Sequence, residues 1–372
     1  MMQRQVARRD ALAAGALVLA TLGLACDHGR RDADARRAEV EQAAAAAEAS
    51  RADSSTTVSG PGTTRAVRPS LTPAPAPPSA AQAAWASAIA RDVDGLDQRS
   101  RQLLSVELMR GRRDPLQKSA DLVAHMQWCD EGSLKACLHA GHVLLFNECL
   151  FDRAHVLYEK AASLAAALPP AALDQFAVDG QPQRYELQIG RRLSDPASED
   201  DEQRRAIDAI CGAVAERDRP LWDEMFAHYD RGGRTPAASP SSIAERLALG
   251  ALRKEMLIEG ETRIAALEHL HAGSARELRS RLTAVASELC AQDDLVSCGV
   301  AAYFHGSGCG LEQMTAAYRR FESGLAGLDT ASRALALGLA QDVIGPARAY
   351  SEGDAALREM LRRSMCQPTT HH

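Results

Sequence analysis

The sequence has few aromatic residues and few lysines. Phe, Trp and Tyr make up 4% of the 372 residues, and four lysines occur. Aromatic and β-branched residues favour strands, whereas small and unbranched apolar residues suit closely packed helices, so the alanine-rich composition favours an all-α fold. The net charge is −6 and the arginines are interspersed with acids, so we expect no nucleic-acid partner.

Common catalytic signatures are also missing. His-Glu-x-x-His, Gly-x-Ser-x-Gly, Cys-x-x-Cys and a phosphate loop with Gly-Lys-Ser/Thr do not occur, and no lysine lies three residues after a serine. We therefore expect no enzyme activity, no catalytic residue and no cofactor. The acidic run 199–202 leaves one alternative, an envelope hydrolase acting on cell wall or glycan, although acids at a helix start usually complement its dipole.

The N-terminus has the pattern of an export signal. Arginines precede an apolar stretch at residues 11–25, which is shorter than the about 20 residues of a membrane span but typical of a signal-peptide core. Leu22-Gly23-Leu24-Ala25-Cys26 resembles a lipoprotein box, in which the cysteine is lipidated and becomes the first residue. Ordinary cleavage after Ala25 is the alternative. Nine cysteines occur, and using Cys26 for a lipid leaves an even number, which suits an oxidising compartment.

These features divide the chain into four parts. Residues 1–25 are predicted to be a signal peptide and residues 26–79 a lipid-anchored, disordered tether, because its Ala/Ser/Pro-rich sequence cannot bury a core. Residues 80–235 and 236–372 are predicted to be two helical modules. We expect a lipoprotein of the cell envelope, anchored in a membrane and facing the periplasm or the cell surface.

The other eight cysteines form two sets with matching spacing. Members of the second set follow those of the first by 161, 161, 160 and 155 residues, and a tyrosine comes nine residues after each third cysteine. This match in order and spacing predicts an internal duplication. The first set is Cys129, Cys137, Cys149 and Cys211, and the second is Cys290, Cys298, Cys309 and Cys366.

The eight-residue spacing within each set restricts the local structure. Eight residues of straight helix span about 12 Å, whereas a disulfide needs Cα atoms within about 7 Å. If the first two cysteines of a set pair, the chain must reverse between them. Gly132 can end one helix and Ser133 can cap the next, and Asp293 and Asp294 can cap in the second copy. The remaining cysteines would then pair as Cys149–Cys211 and Cys309–Cys366, among other possible pairings.

Apolar positions at helical spacing surround the cysteines. One stripe follows Cys137, a second runs from residue 154 to 161, and a third runs from residue 243 to 258 and is predicted to end at Gly260. The glycine-rich run 306–310 is interpreted as an interhelical turn. Core or interface positions are predicted for the aromatic residues Trp128, Trp222, Phe226 and Tyr229.

Further residues around the cysteines carry a family resemblance. The first copy has Gly132, Gly141, Asp152, Ala154, Tyr158, Lys160 and Ala161, and the second has Tyr303, Gly306, Gly308 and Tyr318. These residues resemble the cysteine-rich Sel-one-like repeats, which are relatives of tetratricopeptide repeats. The resemblance implies helix hairpins bridged by a cysteine pair, in an α-solenoid-like scaffold that binds proteins or peptides. We expect two duplicated, disulfide-stapled modules and an envelope protein or peptide as the partner.

A metal carrier is the second alternative. Cys137, His139, His142, Cys149 and His155 could bind zinc or copper, and His139 and His142 share a helix face. The second copy, however, has Val300 and Tyr303 in place of these two histidines. Cysteines that recur without the histidines favour disulfides, so we expect no metal ligand.

Replacing the predicted lipid attachment site tests the anchor. Cys26→Ser is expected to move the protein from the membrane fraction to the soluble fraction, because acyl chains supply about 0.8 kcal/mol of membrane affinity per buried CH₂. Mass spectrometry of the wild-type N-terminal peptide should find a diacylglyceryl group on Cys26. An unmodified Cys26 in membrane-derived protein would contradict the prediction.

Overall fold

The computed structural model describes residues 76–110, 116–168, 173, 177–178, 181–197 and 201–366. The predicted signal peptide, Cys26 and nearly all of the tether lie outside these ranges, as do the side chain of Cys211 and a few others near it. The residues from Pro78 onward belong to one compact unit. None of the helices in the described ranges combines the length and apolar composition that a membrane span requires.

The described part of the chain is helical, apart from one antiparallel pair of two-residue strands, β1 (Ala177–Val178) and β2 (Gln181–Pro182). A π-helical segment, Val143–Asn147, follows the fourth helix. The helices are α1 (Ala80–Asp94), α2 (Leu96–Arg110), α3 (Leu116–Asp130), α4 (Leu134–His142), α5 (Phe151–Ala166), α6 (Gln183–Ser194), α7 (Asp201–Asp230), α8 (Ile243–Glu268), α9 (Ala272–Ala291), α10 (Leu295–Ser307), α11 (Leu311–Ala326), α12 (Thr330–Glu352) and α13 (Ala355–Cys366).

The turn between α3 and α4 confirms the predicted chain reversal. Gly132 has a φ of 94°, and Ser133 caps α4 by accepting a hydrogen bond from the Ala136 amide. The amides of Gly132 and Ser133 donate to the carbonyls of Cys129 and Trp128, which is the hydrogen-bond pattern of a Schellman motif. Cys129 and Cys137 form a disulfide with Cα atoms 4.6 Å apart.

The turn between α9 and α10 repeats this geometry. Asp293 takes the left-handed conformation with a φ of 65°, and Asp294 caps α10 by accepting from the Ser297 amide. The amides of Asp293 and Asp294 donate to the carbonyls of Cys290 and Leu289. The Cys290–Cys298 disulfide has Cα atoms 4.5 Å apart. Both bridges therefore join corresponding positions of their two helices.

The glycine-rich run 306–310 forms the turn between α10 and α11, as predicted. Cys309 in this turn is bonded to Cys366, the last residue of α13, with Cα atoms 5.1 Å apart. No residue of α13 is fully buried. The bridge therefore supplies a covalent attachment for a helix that contributes little to the core.

Two clusters of buried side chains stabilise the fold. The first lies among α3–α7 and contains Tyr158 and the predicted core aromatics Trp128, Trp222 and Phe226. The second is formed by α8–α12, and it also includes Trp85 and other residues of α1. The module boundary between residues 235 and 236 stays a prediction. Helix α1 precedes this boundary, but its buried side chains pack with the second cluster.

The predicted helix end at Gly260 is wrong. Helix α8 continues through this residue to Glu268. A Cβ atom at position 260 would lie 3.2 Å from a methyl carbon of Leu282, so the glycine allows α8 and α9 to approach closely. A glycine can end a helix or allow two helices to pack closely, and at this position it does the latter.

A substitution of Gly190, next to Tyr158, tests the packing of α5 against α6. Gly190 lies against the ring of Tyr158, and a Cβ atom at position 190 would come within 2.0 Å of ring carbons. Gly190→Ala is expected to lower the free energy of unfolding by about 2 kcal/mol or more, because overpacking displaces the helix or the ring. Urea denaturation followed by circular dichroism measures the change.

Gly338→Ala in α12 is the matched control, since a Cβ atom there would meet no other atom within 4 Å. This change should raise stability by about 0.5–1 kcal/mol through helix propensity. Equal effects of the two substitutions would contradict the packing described for Tyr158.

Candidate functional site

A groove of about 440 Å³ lies between α1 and α2, the α3–α4 hairpin, and α8. Its apolar lining includes Trp85 and Ile89 of α1, Trp128 of α3, and Leu252 and Met256 of α8. The two tryptophans are buried in different hydrophobic clusters. The groove is therefore the place where the two cores meet beneath a surface opening.

Trp128 is held in place by polar contacts. Its indole Nε1 donates a hydrogen bond of 2.9 Å to Oε1 of Gln102, which is itself buried and donates to the carbonyl of Thr235. The guanidinium of Arg99 lies 6.0 Å from the centre of the indole ring. These contacts fix the ring, so the groove wall is formed before any ligand arrives.

Asp92 ties three helices together at the groove. The carboxylate of this α1 residue accepts hydrogen bonds from Arg99 of α2 and Arg263 of α8. Burial alone would raise the pKa of Asp92, but the two guanidiniums hold it below its usual value. Since all three side chains are largely buried, the carboxylate supplies charge balance that water cannot.

The α8 side of the groove is acidic. Burial raises the pKa of Glu255, although its side chain still reaches solvent. The charges of Lys254 and Lys135 lower this pKa, whereas the carboxylates of Glu107 and Glu259 raise it further. Lys135 pairs with Glu259 at 3.0 Å. Among the described residues, Glu255 forms no hydrogen bond or ion pair. A cation placed beside it would relieve the repulsion among these carboxylates.

Asp121, His125 and His139 form a cluster on the α3–α4 hairpin, and the two histidines line the groove. The Nδ1 atom of His125 lies 3.4 Å from Oδ1 of Asp121, and Nε2 of His139 lies 3.8 Å from Oδ2. The two imidazole rings have centroids 4.2 Å apart. Burial opposes ionisation of Asp121, but hydrogen bonds and charge from both histidines lower its pKa.

The structure does not gather the five residues of the predicted Cys/His cluster. Cys137 is bonded to Cys129, and Cys149 is also disulfide-bonded, so neither sulfur is a thiolate ligand. His142 contacts Glu186, and His155 lies near Ser194. Of the predicted set, only His139 joins the groove cluster, together with Asp121 and His125.

Sequence reasoning missed His125, although a signal was present. Asp121 and His125 are four residues apart and share a face of α3. His125 lies one helical turn before Cys129, and His139 lies two residues after Cys137. His139 lies about 200° around α4 from Cys137, so the bridge alone does not predict that it meets His125. The i, i+4 spacing of Asp121 and His125 is the part of the cluster that the sequence could have indicated.

His142 belongs instead to a buried polar group between α4, α5 and α6. Glu186 Oε1 lies 3.0 Å from His142 Nδ1 and accepts a hydrogen bond of 2.9 Å from the Tyr158 hydroxyl. Burial opposes ionisation of Glu186, but these two hydrogen bonds lower its pKa. Burial and the neighbouring carboxylate together raise the pKa of Tyr158. This group joins the three helices through satisfied hydrogen bonds.

Ser287 and His305 form a contact of the kind that nucleophilic catalysis uses. Ser287 Oγ lies 3.0 Å from Nε2 of His305, but the hydroxyl donates its proton to the carbonyl of Thr283 at 2.8 Å. Burial lowers the pKa of His305, and no carboxylate contributes to the shift. Within the described residues, this pair lacks the orienting acid of a catalytic triad.

Comparison of the chain with protein-family models, curated proteins and solved structures found no match. The resemblance to Sel-one-like repeats therefore stays an expectation from the sequence. The function is therefore inferred from the groove and its charged residues.

Asp92→Asn tests the charge cluster at the groove. The change leaves Arg99 and Arg263 without their shared carboxylate, so the free energy of unfolding at pH 7 should fall by about 2 kcal/mol. Because the pKa of Asp92 is lower in the folded state than in the unfolded state, its contribution is complete above about pH 5. The difference between wild type and variant should therefore shrink as the pH falls below about 4.

Asp94→Asn on the same helix is the control. Asp94 pairs with Arg281 at an exposed position, so its loss should cost less than about 1 kcal/mol. Chemical denaturation at pH 7 and at pH 3.5 measures both variants. A cost for Asp92→Asn that stays constant with pH would contradict the assignment.

Proposed function

We propose that this protein is a membrane-anchored envelope scaffold that holds a segment of a partner protein in its interhelical groove. In this proposal Cys26 carries the lipid, residues 26–79 separate the helical part from the membrane, and the helices form two duplicated modules of the Sel-one-like type. The single observation that carries the binding role is the preformed groove where the two cores meet.

The matching hairpins support the modular part of the proposal. In both, the first cysteine lies in the last turn of one helix, a left-handed residue follows, and a capped helix brings the second cysteine back. Helix-hairpin scaffolds present surfaces between neighbouring helices, and such surfaces bind peptides. A rigid turn with a covalent bridge keeps each hairpin in one arrangement.

The lining of the groove indicates the chemistry of the partner. Its apolar floor, with Trp85, Trp128 and Met256, suits one large apolar side chain. Glu255, with the other carboxylates near it, suits a positive charge. The partner segment in this proposal therefore contains a large apolar residue next to lysine or arginine.

Two labelled peptides test this function. Both are alanine-rich and carry one phenylalanine, which is flanked by lysines in one peptide and by glutamates in the other. Fluorescence anisotropy with the full-length protein in detergent and EDTA should show at least tenfold tighter binding of the lysine peptide. Equal affinity for the two peptides, or no binding of either, would overturn the proposal.

A charge reversal locates the site. Glu255→Lys should remove the preference for the lysine peptide, because it replaces a carboxylate at the groove with a cation. Glu224→Lys is the matched control, since Glu224 is an exposed residue of α7 and does not line the groove. An equal effect of the two reversals would show that the preference depends on net charge rather than on the groove.

A further inference from the structure

The α3–α4 hairpin brings together three side chains of the types that bind transition metals. Asp121 and His125 come from consecutive turns of α3, and His139 comes from α4. Each offers one ligand atom, and the three atoms lie within 4.8 Å of one another. Two imidazoles and a carboxylate are ligands that suit zinc and copper, not magnesium or calcium.

The spacing of these groups fits a tetrahedral ion. Ligand atoms about 2.0–2.2 Å from such an ion lie about 3.3–3.6 Å from one another. Nε2 of His139 lies 3.8 Å from Oδ2 of Asp121, and the three ligand atoms all lie within 4.8 Å of one another. Side-chain rotations that move the ligand atoms by up to about 1 Å would bring them to this spacing.

The hairpin also restrains the ligands. The Cys129–Cys137 bridge fixes the register of α3 against α4, so the histidines face each other before any ion binds. His125 Nδ1 lies 2.9 Å from the main-chain carbonyl oxygen of Asp121. A histidine that donates one ring N–H to a carbonyl presents its other nitrogen as a metal ligand, and this outer contact orients the ring.

The second hairpin provides an internal comparison. Leu282, Ala286 and Val300 occupy the positions 161 residues after the three ligands, and all three are completely buried. The same bridged turn therefore forms around apolar residues. The polar trio is not required by the hairpin, and its two histidines line the groove.

We propose that Asp121, His125 and His139 bind one divalent ion of the zinc and copper class. The ion sits on the hairpin wall of the groove, with a coordination position open to water or to a ligand atom from the groove. The metal site requires no bound peptide. Peptide binding is measured in EDTA, which removes metal ions, so the two proposals are tested independently.

Calorimetry with Zn²⁺ tests the proposal. Full-length protein in detergent, with His371 and His372 replaced by alanine so that they cannot contribute, is stripped with EDTA and titrated with Zn²⁺. One ion per chain is expected to bind, and Mg²⁺ should give no signal. Stoichiometric Cu²⁺ should quench tryptophan fluorescence, because the ring of Trp128 lies 5.0 Å from that of His125.

Variants then assign the ligands. Asp121→Asn, His125→Gln and His139→Gln should each weaken Zn²⁺ binding at least tenfold, while the exposed His269→Gln leaves it unchanged. Circular dichroism of the metal-free proteins checks folding, and the half-exposed His139 supplies the variant with the least structural risk. Absence of Zn²⁺ binding by the parent protein, or equal binding by the His139 and His269 variants, would overturn the proposal.

Discussion

A disulfide between neighbouring helices fixes the register on which the groove depends. Cys129 and Cys137 lie on either side of a Schellman turn, and their bond allows one alignment of α3 and α4. That alignment brings His125 and His139 together and places Trp128 at the groove floor. If the hairpin slid by one residue, the histidines would rotate away from each other and the floor would lose its shape.

Ion pairs join the helices around the groove to one another. Arg253 of α8 is nearly completely buried and binds Asp294 at the start of α10 and Asp97 of α2. Asp92 makes the corresponding connection among α1, α2 and α8. Hydrophobic burial supplies most of the stability, but it is not directional, so these buried ion pairs define how the helices are oriented around the groove.

Local features of the fold could be predicted from the sequence, and long-range ones could not. Gly132, Ser133 and Asp294 act within a few residues of their own positions, so turn chemistry identified their roles. The groove combines side chains from position 85 to position 263, and no periodic pattern pairs Trp85 with Trp128 or Asp92 with Arg263. The predicted helix end at Gly260 was wrong for the same reason, because the role of this glycine depends on Leu282 of another helix.

Three disulfides whose two side chains are both described join cysteines that are consecutive in the chain: 129 with 137, 290 with 298, and 309 with 366. A polypeptide emerges from its N-terminus, so these cysteines appear in the order in which they pair. An oxidant that acts on thiols in order of appearance therefore forms these bonds directly. Under such an oxidant, these pairs would form without exchange of a wrong partner.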